Sequence, residues 1–204
     1  MSVRRWLLLF AMLTAVCAPA QVIEFESGGL KYQTLTRRGI TIMYAHLPTR
    51  LRQWAIIQLA ASNGSPVECA ILPDTLEYRR KNGTVLRADT ANSVVKSLID
   101  HAGRNDVVRV VSAYELGLYG MQRFKSTNGY EQRRQSALAE VSSAKLKAAA
   151  AASAIAFVPT KLKSGESTDG AVFFPTAGKP LGAGRLVMKA AGEIFEFDAE
   201  TAGP

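Results

Sequence analysis

Histidine and cysteine are scarce in this sequence, with only two residues of each type among 204. A structural zinc site and a dense disulfide framework both need clusters of these residues, so the sequence excludes both. It also lacks a G-x-S-x-G nucleophile motif and a phosphate-binding glycine loop ahead of a helix. The glycine-rich stretch 178–184 contains Pro180 and is predicted to be a turn between strands. We therefore expect no metal, no cofactor and no enzymatic activity.

Long runs of basic residues are also absent. The formal net charge is +8, but Lys and Arg cluster only in short groups at 4–5, 37–38, 79–81 and 133–134. None of these groups alternates with aromatic residues in a nucleic-acid-binding motif. We therefore expect no nucleic-acid partner.

The first twenty residues have the pattern of a secretory signal peptide. Arg4 and Arg5 precede an apolar run, 6–16, that is too short to span a bilayer. The small residues Ala18-Pro19-Ala20 then predict cleavage before Gln21. This pattern predicts export to the periplasm or the cell exterior, with no transmembrane segment in the mature chain.

The two cysteines differ in their predicted fate. Thr14-Ala15-Val16 fits a lipoprotein signal poorly, so lipid anchoring at Cys17 is the weaker alternative to cleavage at Ala20. The mature chain then keeps only Cys69, which lies in an apolar, strand-like run. We expect it to be a small buried hydrophobic residue, and a reactive thiol is the alternative.

The N-terminal part of the mature chain is predicted to be β-structure. Short β-rich runs alternate with turn signals, among them Pro48, the Asn63–Pro66 stretch and Asn82-Gly83, which predicts a hairpin. The predicted strands are Leu30–Thr36, Ile40–Leu47, Gln53–Ala61, Val67–Leu72, Thr75–Arg80 and Thr84–Ala88.

The middle of the chain changes to helical spacing. Apolar residues predict one helix from Ala91 to Ala102, capped by Asp89-Thr90, and a second from Val107 to Tyr119. A third is predicted from Tyr130 to Ser153. Its alanine run at 148–152 lacks the bulky apolar face of a membrane-surface helix, so we expect it to pack against the protein.

A β-pattern returns after the helices and completes the predicted fold. The strands expected there are Ile155–Pro159, Ala171–Phe174, Arg185–Lys189 and Glu193–Phe197. Four strands would make too small a core for a separate domain. The prediction is therefore an α+β fold: one antiparallel β-sandwich domain, residues 21–204, with a three-helix insertion at about 89–153 between its N- and C-terminal strands.

Three stretches carry a family resemblance. Gln58–Val67 followed by Pro73–Glu77 resembles the strands and Asn-containing turn of exported bacterial immunoglobulin-like domains. Lys163–Phe174 looks like the late hairpin of such domains. The resemblance implies an immunoglobulin-like sandwich but no activity, because this architecture supports many functions.

One set of motifs resembles a different class, the serine penicillin-recognising enzymes. S-x-x-K begins at Ser93, S-x-N at Ser126 and K-S-G at Lys163. The resemblance implies that Ser93 is the nucleophile, Lys96 its base and Lys163 the group facing a substrate carboxylate. The chain is short for that active site, and S-x-x-K recurs at Ser142, so this reading is the alternative.

The leading functional hypothesis is a non-enzymatic, exported protein-interaction module, or a subunit of an envelope assembly. Its partner would be a protein of the cell envelope that the sequence does not identify. The helical insertion is a candidate interface, and deleting about 90–152 is expected to leave a β core. Candidate binding residues are the aromatic side chains Tyr114, Tyr119, Phe124 and Tyr130.

Overall fold

The computed structural model describes residues 21–101 and 143–199, together with residues 103, 105, 106 and 112. The proposed signal peptide with Cys17, the predicted helix Val107–Tyr119 and the four candidate aromatic residues lie outside the described residues.

The described chain is mostly antiparallel β-structure with two helices. The helices are α1 (Ala91–His101) and α2 (Ala144–Ile155), and a single 3-10 turn spans Pro73–Thr75. The strands are β1 (Ile23–Ser27), β2 (Leu30–Arg37), β3 (Ile40–Leu51), β4 (Trp54–Asn63), β5 (Cys69–Ile71), β6 (Glu77–Arg80), β7 (Val85–Arg87), β8 (Thr160–Leu162), β9 (Ser167–Pro175), β10 (Gly184–Ala190) and β11 (Glu193–Ala199).

The strands form three antiparallel sheets. The largest has the order β1-β2-β3-β4-β9, the second has the order β11-β10-β6-β7, and β5 pairs with β8. The predicted hairpin at Asn82-Gly83 is confirmed, because β6 and β7 pair across it. The α+β class is confirmed, and sheets that share one core are consistent with the predicted β-sandwich.

The five-stranded sheet is the middle layer of the structure. Along β4, Trp54 and Ile56 belong to one apolar core, whereas Ala55 and Ile57 belong to another. Successive side chains of a strand point to opposite faces, so this alternation places a core on each side of the sheet. The first core is shared with the two helices and the second with the four-stranded sheet.

The helices form the layer on one face of this sheet. Val94 and Leu98 of α1 belong to the same core as Trp54 and Phe173. Ala148, Ala149, Ala151 and Ala152 of α2 are buried in this core, which confirms that the alanine run packs against the protein. Small side chains let α2 pack closely against α1. Among the residues described, no helix has the length and apolar character needed to cross a membrane.

The helices contribute to one of the two cores, whereas the core between the two larger sheets contains no described residue from 90–152. Removing 90–152 would take Val94, Leu98, Ala148 and Ala151 out of a shared core. The large side chains beneath them on the sheet would then meet water, at a cost of about 25 cal/mol per Å² of apolar surface. The helices are part of the folded unit.

Several strand boundaries differ from the prediction; for example, β9 begins at Ser167 and not at Ala171. β3 continues past Pro48 to Leu51, because an irregularity in the β3–β4 register between His46 and Arg50 accommodates the proline segment. The predicted strand Ile155–Pro159 is wrong, since Ile155 ends α2 and Ala156 forms only an isolated bridge to Ala171.

Two further elements were also predicted incorrectly. A continuous helix from Tyr130 to Ser153 is wrong, because Ser143 has an extended backbone (φ −80°, ψ 136°) and α2 begins after it. The Lys163–Phe174 stretch is not a hairpin. β8 pairs with β5, whereas β9 pairs with β4 in a different sheet.

Candidate functional site

The residues of the serine-enzyme alternative lie on different layers. Ser93 and Lys96 are exposed on α1, where the backbone N–H of Ser93 donates to Thr90 Oγ1 (3.2 Å). Lys163 follows β8, whose Leu162 lies in the core on the other face of the five-stranded sheet. The backbone N–H of Lys163 donates to Glu166 Oε2 (2.8 Å). The structure therefore does not bring Ser93 and Lys163 together, and the third motif, at 126–128, lies outside the described residues.

His46 lies between the two larger sheets. Its ring contacts those of Tyr44 and Tyr78 edge-on, at centroid distances of 5.5 and 6.1 Å. Its Nε2 is shielded from water and has no hydrogen-bond partner, and burial lowers the pKa of His46 to about 4. A neutral imidazole enclosed by aromatic rings is a packing group, without the access that a catalytic base needs. The second histidine, His101, is exposed at the end of α1.

Cys69 is buried at the start of β5 and makes no disulfide. Burial, followed by the nearby Glu68 carboxylate, raises the pKa of its thiol. Both effects disfavour the reactive thiolate, so the expected buried hydrophobic role is confirmed.

Several exposed charges form ion pairs within the described part of the chain. On the four-stranded sheet, Arg185 contacts Glu196 (3.2 Å) and Asp198 (2.8 Å), and Arg79 contacts Glu77 (3.1 Å). An open depression is lined by Arg52 and Asp106, which contact each other at 3.3 Å. The residues described contain no group of three His, Cys, Asp or Glu that could hold a metal.

The uncovered outer side of β1 is the candidate functional site, called here the β1 edge (Ile23–Ser27). Gly28 and Gly29 have positive φ angles, 59° and 76°, which form the tight turn that returns the chain into β2. β1 then pairs with β2 over its whole length, with Phe25 opposite Tyr32. Among the described strands, β1 has no other partner.

Large apolar side chains are exposed on this strand. Ile23 is 61% exposed and Phe25 is 40% exposed, and both share the face of Tyr32. The rings of Phe25 and Tyr32 stack at 5.2 Å with an interplanar angle of 12°, so Phe25 is held in place although water reaches it. The β1 edge therefore presents exposed apolar side chains, one of which is held in a fixed orientation by stacking.

The other outer strands of the two larger sheets are β9, β7 and β11, and they differ in how far they are covered. The backbone N–H groups of Asp89 and Phe157 each donate to a carbonyl of β9, at 2.8 Å. Gln33 donates from Nε2 to the carbonyl of Asp198 in β11, at 2.8 Å. β7 has only three residues. Natural proteins usually protect sheet edges, and within the five-stranded sheet β1 is less protected than β9.

The prediction from sequence missed β1. Its signal was present, because Ile23-Glu24-Phe25-Glu26 alternates apolar and acidic residues ahead of the Gly28-Gly29 pair.

Comparison with known proteins adds little. No family model matches the chain, and no curated protein matches it. A similar solved structure is the yjhA protein from Bacillus subtilis, at 11% identity over 81% of this chain and 76% of that chain. The TM-score is 0.32.

Proposed function

We propose that the protein is a non-enzymatic, exported protein-interaction or envelope-assembly module that binds its partner through the β1 edge. The observation that carries this proposal is the exposure of Ile23 and Phe25 on a sheet edge that no other described strand covers. Exposed edges of this kind bind extended segments of other proteins by strand addition.

The position of the edge supports an assembly role. β1 begins two residues after the proposed cleavage site, at Ile23. Removal of the signal peptide would therefore leave the edge near a free N-terminus. Mass spectrometry of the protein isolated from the cells that produce it should find a chain that begins at Gln21, and a chain that keeps 1–20 would overturn the export proposal.

A photo-crosslinking residue at Ile23 tests the interaction in cells that produce the full chain natively. The matched control is Val85, which is 50% exposed on β7. We expect a discrete protein adduct from position 23 that disappears when Phe25→Lys is added, and no such adduct from position 85. Equal adducts at both positions, or none at position 23, would contradict the proposal.

We also propose that the sandwich is related to immunoglobulin-like domains and that its insertion contains a third helix. Antiparallel sheets sharing one core, and two helices within 89–155, support this relationship. A structure determined by experiment through residues 102–142 would test the third helix.

The alternative, a serine penicillin-recognising enzyme, has its own test. A labelled β-lactam should modify Ser93 in that case, and Ser93→Ala should abolish the labelling. We expect no labelling, because Lys163 belongs to the opposite side of the five-stranded sheet from Ser93.

A further inference from the structure

The two faces of β1 differ in chemistry. Ile23 and Phe25 point to the helix side of the sheet, whereas Glu24 and Glu26 alternate with them on the other face. All four residues are exposed. The strand contains no Lys or Arg, although the whole chain carries a net charge of +8. The β1 edge is therefore acidic on one face and apolar on the other, within a basic protein.

The neighbouring strand leaves part of this negative charge uncompensated. Gln33 donates a hydrogen bond from Nε2 to the Glu24 carboxylate, and Lys31 lies opposite Glu26. An amide donor adds no positive charge. By contrast, Glu196 and Asp198 of β11 have the same spacing, but both contact the Arg185 guanidinium. The Glu24 carboxylate accepts a hydrogen bond from an uncharged amide, which favours a cation from outside the described fold.

A second copy of the chain is a poor occupant of this edge. If two β1 strands paired antiparallel with full overlap, Phe25 would face its own copy and Glu24 would face Glu26. Like charges directly opposite each other destabilise a pair of strands. Self-association is disfavoured for this reason.

We propose that the β1 edge binds an extended protein segment in which apolar residues alternate with Lys or Arg. The proposal rests on the proposed function and names the chemistry of the partner. Backbone hydrogen bonds along the edge supply affinity for any extended chain. The basic side chains face Glu24 and Glu26, while the apolar side chains cover Ile23 and Phe25. This alternation fixes which face of the partner strand meets which face of the sheet.

Fluorescence anisotropy with three labelled eight-residue peptides tests the proposal on the purified full chain. The first alternates Val and Lys, the second has the same composition with the lysines grouped, and the third alternates Val and Glu. We expect the first to bind at least fivefold more tightly than either of the others. Long-range attraction to a protein of charge +8 would instead favour the Glu peptide. Equal binding of the first two peptides, or tighter binding of the third, would overturn the proposal.

Paired charge variants locate the binding. Glu24→Gln with Glu26→Gln should weaken the first peptide about fivefold to tenfold, as expected for two opposite-charge cross-strand pairs. The control, Glu196→Gln with Asp198→Asn on β11, should change the affinity for the first peptide less than about twofold. Backbone amide shifts in the NMR spectrum should move at β1 and β2. A similar loss in both variants would overturn the proposal.

The two proposals can fail separately. A crosslinked protein at position 23 without binding of the Val-Lys peptide would overturn the partner chemistry and leave the interaction function standing. Binding of the Val-Lys peptide at β1 without any adduct in cells would overturn the interaction function in that host and keep the chemistry of the edge.

Discussion

The two outer strands of the five-stranded sheet, β9 and β1, are built in opposite ways. β9 has nine residues, of which eight are buried, and neighbouring backbone covers its outer side. β1 has five residues, of which four are exposed, and its outer side has no described partner. One sheet thus combines an edge that completes the core with an edge that can accept another chain. The contrast separates residues that maintain the fold from residues that are free to bind.

Replacing a phenylalanine by alanine should destabilise the protein most on the covered edge, β9. Phe174 of β9 is fully buried in the core between the sheets. Phe174→Ala should lower the free energy of unfolding by about 4 kcal/mol, through lost transfer energy and a cavity. Urea denaturation followed by circular dichroism measures this. A loss below about 1 kcal/mol would mean that Phe174 is not a core residue and that β9 does not complete the core.

Gly170 tests how the covered edge is closed. A Cβ at this position would lie 2.5 Å from the Phe157 Cα and 2.6 Å from its backbone nitrogen. Gly170→Ala should therefore push the covering segment away and cost about 3 kcal/mol, at the upper end for overpacking.

The matched control for Gly170 is Gly29→Ala in the turn after β1. A Cβ there meets no atom within 4 Å, but φ is +76°. The expected cost is about 1 kcal/mol of backbone strain, measured by the same denaturation. A larger loss at Gly29 than at Gly170 would reverse the comparison.

The closed interior should also respond to pH through His46. Its pKa falls from 6.5 to about 4 on folding, so the unfolded chain binds a proton first as pH decreases. Stability should therefore fall between about pH 6.5 and pH 4, by about 2 kcal/mol between pH 7.5 and pH 5. Denaturation midpoints at these two pH values measure the loss.

Two variants isolate the contribution of His46. His46→Leu should remove most of the pH-dependent loss, because the leucine has no proton to bind. His101→Gln, at the exposed end of α1, should retain it. If both variants keep the full dependence, other groups cause it.

The sequence predicted the repeating patterns better than the connections between layers. The spacing of Val94 and Leu98, the Thr90 cap and the Asn82-Gly83 hairpin are local features, and each was confirmed. The Lys163–Phe174 stretch crosses between two sheets because its strands pair with β5 and β4, which are distant in the sequence. Local periodicity carries no information about such distant partners. The end of α2 at Ile155 was missed because apolar residues there satisfy both helix and strand patterns.

The candidate site was hidden for a different reason. Strand alternation identifies Ile23–Glu26 as a possible strand, but exposure of its edge depends on which strands lie beside it. Only the sheet order shows that β1 is terminal, since β2 pairs with β3 on its other side. Conversely, Ser93 and Lys163 match the motif order of the serine enzymes, but they lie on or next to elements that pack on opposite faces of the five-stranded sheet.

A small loss of stability is expected for Phe25→Ala, the counterpart of Phe174→Ala on the exposed edge. Phe25→Ala removes one stacked ring that is already 40% exposed, so the lost stacking with Tyr32 should cost only about 1 kcal/mol. Binding at the β1 edge should suffer more than folding, because the partner would lose its main apolar contact. Urea denaturation and peptide anisotropy on the same preparation separate the two quantities. If Phe25→Ala destabilised the protein as much as Phe174→Ala, Phe25 would be a core residue and β1 would not be an open edge.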